Sequence, residues 1–553
     1  FLVGKKLLKR QNMNDDDQNG DGLAIVVSPD ENEIIPLDQQ SINECDNNGQ
    51  QKHCCEWFRF HDVDEAKGYC RLSISRGPLV MSNIFLSTSL IYLASQQAGC
   101  LILPEDDVDN ATTTSNTGTP EVGQYDYAIS TECDATVYGF RPSSLITNIA
   151  FISGLLATFF MPFIGALIDY TKYCKQIGIA SAILITLIQM IQIATISATW
   201  YPMAILQAIA GLLYEVQILI SFTYLPVIAR KVGQKIMSGF TATFVSVLLL
   251  SQITFLVAIV GIGLSLGLND VRTAQLSQGV NVATCVIFFV AGWKYMPNVD
   301  AKHTLKPGQN LFTTGFVEIF CTAKQINRCY GSSLRWFLLA TVFAEAGSTA
   351  FAVVSLVFFS ETLQMSGTKI GILMLITLLC AVPGSILGSF VASKTNPNTN
   401  WKLSMVAFII TTISGASVLS GPERQNYAYL FGVIWGMCVG WFYPGESLMF
   451  SLASPRGQEG AVTGIFVYCT QILVWLPPLV FTTLNEAGVH QRYGFMTSTI
   501  YFAIAIIILC FIPNDWNLFI QEVNQTTFSS REENENKDDN QKNSEDAPSS
   551  NRK

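Results

Sequence analysis

Charged side chains are scarce in this chain of 553 residues. Asp, Glu, Lys and Arg together make up 14% of it, whereas a typical soluble protein carries about 25%. The 35 Phe residues outnumber the 33 Lys and Arg residues combined. Several soluble domains of this total length would need more charge to cover their surfaces. The composition therefore excludes a soluble multidomain protein and indicates a chain that crosses a membrane many times.

The sequence also lacks the local patterns of common catalysts and cofactor sites. It has 4 His residues and contains no Gly-x-Ser-x-Gly elbow, no His-Glu-x-x-His motif and no Walker loop for phosphates. His53-Cys54-Cys55 does not have the spacing of a zinc site, and no basic patch suits nucleic acid. We therefore predict no enzyme, no self-contained ATP-driven pump, no metal or other cofactor, and no nucleic-acid partner.

Long apolar runs are abundant, and each has about the 20 residues that a helix needs to cross a bilayer. Twelve such runs follow one another along the chain and predict an all-α, multi-pass membrane protein. They lie near 77–99, 143–168, 177–197, 202–226, 237–266, 278–296, 335–359, 367–391, 402–420, 427–450, 461–485 and 494–513.

Polar segments divide these runs into two groups of six. The predicted units are a largely disordered cytosolic tail, a first six-helix bundle, a cytosolic linker, a second six-helix bundle and an acidic, disordered cytosolic tail. Their boundaries are 1–76, 77–296 (with an outer loop at 100–142), 297–334, 335–513 and 514–553. The two tails are candidates for binding cytosolic partners. The chain begins with Phe1 rather than Met, which leaves its true start open.

The distribution of Lys and Arg predicts the orientation, because cytosolic loops carry an excess of these residues. With the N-terminus in the cytosol, most of them fall in cytosolic loops. The outer loops hold only Arg141, Arg272, Lys369, Arg424 and Arg492. Both termini are therefore predicted to be cytosolic.

The first outer loop agrees with this orientation. It is acidic and contains the sequon Asn110-Ala111-Thr112, which can be glycosylated only on the lumenal or extracellular side. Cys100 and Cys133 are the two cysteines that this topology places outside the cytosol, so we predict a disulfide between them.

The two groups of six share short patterns at nearly constant spacing. Gly165 near the end of the second run corresponds to Gly388 near the end of the eighth, and Gly233 after the fourth corresponds to Gly457 after the tenth. The two offsets differ by one residue, which indicates a 6+6 duplication of the kind found in transporters.

With twelve spans and this duplication, the motif in the second-to-third loop resembles that of the major facilitator superfamily. It reads Gly165-x-x-x-Asp169-x-x-Lys172-x-x-Lys175, and Gly388 begins a degraded second copy. The resemblance implies a cytosolic gate, in which the glycine packs against a neighbouring helix and the charged residues form ion pairs. It also implies two six-helix bundles that rock about a central solute site.

A finer resemblance, to the autophagy-related vacuole effluxer family, covers much of 143–513. It rests on three segments: Tyr224-Leu-Pro-Val-Ile-Ala-Arg230, Pro455-Arg-Gly-Gln-Glu459, and Trp475-Leu-Pro-Pro-Leu-Val-Phe481. The resemblance implies export of amino acids from vacuoles or lysosomes. The chain departs from the family pattern in its first span, around Asn83, and at Glu446, where an arginine is expected.

Only three carboxylates fall clearly inside the predicted spans. They are Glu215 in the fourth, Glu345 in the seventh and Glu446 in the tenth. In the fold that the sequence resembles, these helices line the central cavity. Charge inside a bilayer costs at least a few kcal/mol, so acids there are candidates for function. They can carry a proton, bind a substrate amine, or serve only as hydrogen-bonded structural groups. No Lys or Arg is predicted at mid-membrane, which favours cationic or zwitterionic substrates over anions.

We therefore predict a secondary transporter in the lipid bilayer, exporting a small solute, with amino acids favoured and proton coupling expected. A facilitator for sugars or nucleosides is one alternative, and a transporter-like sensor or scaffold is another. A vacuolar or lysosomal membrane is the favoured address and the plasma membrane the alternative. The pattern Asp30-Glu-Asn-Glu-Ile34-Ile35 is compatible with lysosomal sorting.

Overall fold

The computed structural model describes residues 63–102, 128–129, 135–232, 234–299, 301, 310–329, 332–453 and 459–513. Nearly all of them are helical. Two short antiparallel strands, β1 (Leu101–Ile102) and β2 (Ala128–Ile129), pair in the first outer loop.

The first half of the chain forms six long helices. They are α1 (Asp64–Ala98), α2 (Leu145–Tyr170), α3 (Cys174–Gln192), α4 (Trp200–Val232), α5 (Gln234–Leu266) and α6 (Asp270–Trp293). A 3₁₀ turn, Pro142–Ser144, leads into α2. The linker contains one further helix, α7 (Leu311–Cys329).

The second half repeats this plan with two interruptions. Its helices are α8 (Ser332–Val357), α9 (Gly367–Lys394), α10 (Pro397–Val418), α11 (Gln425–Ala453), α12 (Glu459–Gln471), α13 (Leu476–Glu486), α14 (Gln491–Met496) and α15 (Ser498–Leu509). A 3₁₀ turn, Pro422–Arg424, precedes α11. Together α12 and α13 form the eleventh span, and α14 and α15 form the twelfth.

Eleven of the twelve predicted spans are confirmed, and the sixth begins at Asp270 rather than at the predicted 278. Eleven helical segments of the described chain are long and apolar enough to cross a membrane. The remaining predicted span is α11, whose 29 residues extend about 43 Å and are long enough to cross. The first span begins at Asp64 instead of Gly77. Pro78 lies inside this helix. Membrane helices tolerate an internal proline because neighbouring helices satisfy the freed backbone groups.

Helix packing repeats in the second half with a shift of six spans. In the first half, α1 packs on α5 and α6, α2 packs on α4, and α3 packs on α4 and α6. In the second half, α8 packs on α12, α13 and α15, α9 packs on α11, and α10 packs on α11 and α15. These are equivalent pairs, so the 6+6 architecture predicted from the repeated glycines is confirmed.

The two bundles meet along two seams. One is formed by α5 and α9, and the other by α2 with α12 and α13. The same six-span shift relates the two seams to each other. A pair of equivalent seams on either side of a central axis allows one bundle to rock against the other.

The second seam contains a break in the eleventh span. Between the end of α12 at Gln471 and the start of α13 at Leu476, the chain forms turns just before Pro477-Pro478. Thr158 of α2 donates from Oγ1 to the carbonyls of Gln471 and Ile472, at 3.3 and 3.4 Å. The hydroxyl thus links α2 to the carbonyls at this break, which also accept from Val474 N and Trp475 Nε1.

The linker helix α7 lies against α2. A Cβ added to Gly315 of α7 would lie 2.2 Å from the carbonyl oxygen of Pro162, so the two backbones are in direct contact. Phe312 and Phe316 pack on Phe159 of α2. The linker was predicted only as a cytosolic connection; the structure adds a helix that packs on the first bundle.

Candidate functional site

The three acids predicted inside the spans lie close together in the structure. The carboxyls of Glu345 on α8 and Glu446 on α11 lie within hydrogen-bonding range of each other. An ionised carboxylate only accepts hydrogen bonds, so a bond between two carboxyls requires a proton on one of them. Glu446 is 4% exposed, and its Oε1 has no hydrogen-bond partner among the described residues.

Tyr443 completes this group on the second bundle. Its hydroxyl lies 2.7 Å from the Ser348 hydroxyl of α8, and the tyrosine is within electrostatic range of both Glu345 and Glu446. Its side chain is 44% exposed although it lies in the middle of a long helix. We call Glu345, Glu446 and Tyr443 the acid group of the second bundle.

Glu215 faces this group from the first bundle. It lies on α4, within electrostatic range of Glu345, and its Oε2 is buried without a hydrogen-bond partner among the described residues. The predicted acids therefore come from both bundles and meet between them. A solute at this position would touch both halves of the protein, as alternating access requires.

A buried arginine also belongs to this region, and the sequence interpretation missed it. Arg76 of α1 is 8% exposed. Its Nη2 donates to the carbonyl oxygen of Gln217 on α4 at 3.5 Å, and its guanidinium lies 5.6 Å from the Tyr69 ring. The expectation that no Lys or Arg accompanies the acids was wrong, because Gly77-Pro78 was interpreted as the start of the helix rather than as its interior.

A fourth buried acid, Glu361, was missed for a similar reason. The seventh span continues past its predicted end at 359 in a π-helical turn, Phe358–Thr362. Glu361 lies in that turn, where Gln491 donates from Nε2 to its Oε2 at 2.6 Å. Its carboxyl also lies within hydrogen-bonding range of Ser143 on the other bundle. π-helical turns are frequent at functional positions. The sequence did not predict where this helix ends, so Glu361 was not identified from it.

Hydrogen bonds join the two bundles at the predicted outer end. Asn485 of α13 donates from Nδ2 to Ser143 and Ser144 Oγ, at 2.7 and 2.8 Å. The Arg141 amide donates to Glu486 Oε1 at 2.9 Å, and the Gly367 amide donates to Asp270 Oδ1 at 2.9 Å. The two bundles are therefore held together at this end. We call these contacts the outer contact set.

The residues of the predicted cytosolic gate motif lie around the connection between α2 and α3. Asp169 lies in the last turn of α2, Lys172 is exposed, and Lys175 lies in the first turn of α3. The close helix contact expected at Gly165 is wrong, because a Cβ there would meet no described atom within 4 Å.

The second copy of the motif does pack as expected, since a Cβ on Gly388 would lie 2.6 Å from Trp441 Cδ1 of α11. In the first bundle, the close contact on this part of α2 comes from Gly315 of α7 instead.

The remaining predicted sites concern the first outer loop. Cys100 is disulfide-bonded, and β1, which follows it, pairs with β2. Cys133 and the sequon at Asn110 lie outside the described residues, as do both tails and the Ile34-Ile35 pattern.

We expect non-reducing peptide mapping to show Cys100 linked to Cys133, because the pairing of β1 with β2 draws the two ends of the loop together. Recovery of Cys100 linked to any other cysteine would contradict this pairing. A Cys133→Ser variant that still protects Cys100 from alkylation would contradict it as well.

The fold and the acids between its bundles define a class, namely membrane proteins with the two-bundle fold of major facilitator transporters. Two solved structures share the fold. The nucleoside transporter NupG aligns with a TM-score of 0.52 at 12% identity over 81% of this chain and 99% of that one. A D-xylose-proton symporter aligns with a TM-score of 0.51 at 12% identity over 81% of this chain and 98% of that one.

A family model described as "Vacuole effluxer Atg22 like" matches residues 61–516. The chain belongs to this family. Autophagy-related protein 22 of Cryptococcus neoformans var. neoformans serotype D is 24% identical over 198 residues, 34% of this chain and 36% of that protein. Autophagy-related protein 22-2 of Neosartorya fischeri is 23% identical over 194 residues, 33% of this chain and 30% of that protein. The chain thus spans about a third of the length of the curated relatives it matches.

Proposed function

We propose that this protein exports amino acids from the vacuolar or lysosomal lumen to the cytosol, together with protons. The observation that carries this proposal is that Glu215 of one bundle lies within electrostatic range of the neighbouring acids Glu345 and Glu446 of the other. Membership of a vacuole effluxer family supports the vacuolar location and the export of the solute from the lumen.

The acids can bind a proton and an ammonium group at the same time. Glu345 and Glu446 lie close enough to share a proton, whereas the Oε2 of Glu215, which has no partner among the described residues, is placed to accept from an ammonium group. Uncompensated charge inside a bilayer costs several kcal/mol. Rocking of the bundles is therefore easiest when the proton and the amine are both bound, and such a requirement couples their movement.

The direction of export follows from the lumenal pH. An acidic lumen favours protonation of the carboxyl pair when the site faces outward, and the near-neutral cytosol favours release when it faces inward. Protons then run down their gradient from lumen to cytosol and carry the amino acid with them. The excess of Lys and Arg in the loops supports the matching orientation, with both termini in the cytosol.

The proposal is tested with purified full-length protein in proteoliposomes. Uptake of radiolabelled L-leucine, L-lysine, L-glutamate, uridine and D-glucose is measured with the source compartment at about pH 5.5 or at pH 7.5. We expect leucine or lysine flux that the acidic source compartment accelerates several-fold. Flux of uridine or glucose alone would favour the facilitator alternative, and no flux of any solute would favour the sensor; either result would overturn the proposal.

Opening of the outer end must be part of this cycle. Thr147 of α2 and Thr482 of α13 belong to opposite bundles, and their hydroxyl oxygens are 2.7 Å apart. Cysteines at these two positions have Cβ atoms near the separation of about 3.5–4.5 Å that a disulfide needs. We expect oxidised Thr147→Cys/Thr482→Cys protein to lose at least nine-tenths of its flux, and a reductant to restore it.

The two single variants, oxidised in the same way, are the controls and should keep their flux. Peptide mapping confirms the cross-link before flux is compared. Cross-linked protein that transports at the rate of the reduced protein would show that the outer contact set does not need to open.

A further inference from the structure

Arg76 is a buried cation whose donors are poorly satisfied. A guanidinium has five N–H donors, and the described contacts of Arg76 are the long hydrogen bond to Gln217 and contacts with Tyr69. Its Nε is buried without a partner, and no described side chain places a carboxylate within 4.0 Å of it. An unpaired buried charge is costly. We therefore expect an anionic group to bind Arg76 during part of the transport cycle.

The position of Arg76 places that anionic group beside the acids. Its guanidinium contacts the carbonyl oxygen of Gln217, and Glu215 lies two residues earlier in the same turn of α4, about 3 Å along the helix axis. Tyr214 is within electrostatic range of both Arg76 and Glu215. A cation and a free carboxyl oxygen thus flank one short stretch of α4.

Asn83 extends this polar face of α1. It lies two helical turns from Arg76, on the same side of the helix, and its Oδ1 is also buried without a described partner. Arg76 therefore has an unsatisfied donor, and Asn83 and Glu215 each have an acceptor without a partner among the described residues. The acid group of the second bundle supplies further acceptors.

We propose that Arg76 binds the carboxylate of the transported amino acid, while the ammonium group of the same molecule faces Glu215. This inference rests on the proposed function and adds a requirement for a free carboxylate. Guanidinium and carboxylate match in a two-bond geometry that an ammonium side chain does not reproduce. Arg76 is then a specificity-determining residue that selects amino acids over simple amines.

The test compares substrates that differ only in the carboxylate. Competition of L-leucine and isoamylamine, and of L-lysine and cadaverine, is measured against uptake of the radiolabelled amino acid in proteoliposomes. We expect the wild type to prefer each amino acid over its amine by about tenfold to a hundredfold, the range that loss of one charge-assisted hydrogen bond produces. Arg76→Gln should reduce this preference to within about threefold, and Arg76→Lys should give an intermediate value.

The matched control is Arg71→Gln on the same helix. Arg71 donates to the Ala291 carbonyl at 3.4 Å and lies over the Tyr295 ring, away from α4. We expect this variant to keep the wild-type preference. Comparing ratios of inhibition within each variant removes any loss of folded protein.

Two results overturn the inference without touching the proposed function. One is amino-acid flux in which the wild type shows no preference for the carboxylate. The other is an Arg76→Gln protein that keeps the full preference, which would show that Arg76 only connects α1 to α4 structurally. Absence of amino-acid flux in the wild type is a different outcome, because it removes the proposed function itself.

Discussion

Replacing Glu345 with Gln should abolish accumulation driven by a pH gradient. The amide keeps the size of the carboxyl and can still hydrogen-bond to Glu446, but it cannot take up or release a proton. With one proton per solute, a gradient of about two pH units supports about hundredfold accumulation by the wild type. We expect Glu345→Gln protein to accumulate no more than the equilibrium level, measured as radiolabelled leucine or lysine in proteoliposomes.

Exchange without a gradient separates this effect from misfolding. Because Gln imitates the protonated acid, Glu345→Gln protein should still exchange labelled for unlabelled amino acid within about threefold of the wild-type rate. Glu423→Gln is the matched control, since Glu423 is exposed in the turn before α11 and should transport normally. Wild-type accumulation by Glu345→Gln protein would contradict a role for Glu345 in coupling.

Adding a single methyl group at Gly440 should destabilise the second bundle. In the contact between α9 and α11, a Cβ on Gly440 would lie 1.9 Å from the Ala381 carbonyl oxygen and 2.6 Å from its carbon. These are backbone atoms, so no side-chain rotation relieves the clash, and the two helices must separate. Overpacking of this kind costs about 1–3 kcal/mol. We expect Gly440→Ala protein to show a lower melting temperature in detergent and a lower yield.

Gly279→Ala is the control for this prediction. Gly279 lies in the middle of α6, and a Cβ there would meet no described atom within 4 Å. Any general effect of alanine on a membrane helix would therefore appear at this position as well. Equal melting temperatures for the two variants would show that α9 and α11 are not in contact as closely as described.

Much of the fold followed from sequence because bilayer thickness imposes a fixed length on each apolar run. The order and number of the spans were predictable on that basis, and the repeated glycines predicted the duplication. Glu215, Glu345 and Glu446 were also identifiable, because a carboxylate inside a long apolar run is rare and costly.

The structure adds groups at the edges of the runs, where hydropathy is least informative. Arg76 and Glu361 fall just outside the predicted first and seventh spans, since a charged residue near a helix end lowers the local hydropathy in the same way as a loop. The contact of α7 with α2 was not predictable either. It depends on the close approach of Gly315 to Pro162, and a single glycine in a linker gives no sign of its partner.

Proton movement coupled to amino-acid movement is the measurement that tests the central proposal most directly. Proteoliposomes containing a pH-sensitive dye start with equal pH on both sides and receive a gradient of L-leucine or L-lysine alone. We predict that amino-acid entry acidifies the interior with wild-type protein and Glu423→Gln protein, and that Glu345→Gln protein exchanges amino acid without any pH change. Amino-acid entry through the wild-type protein with no change of internal pH would contradict coupling through the acids between the two bundles.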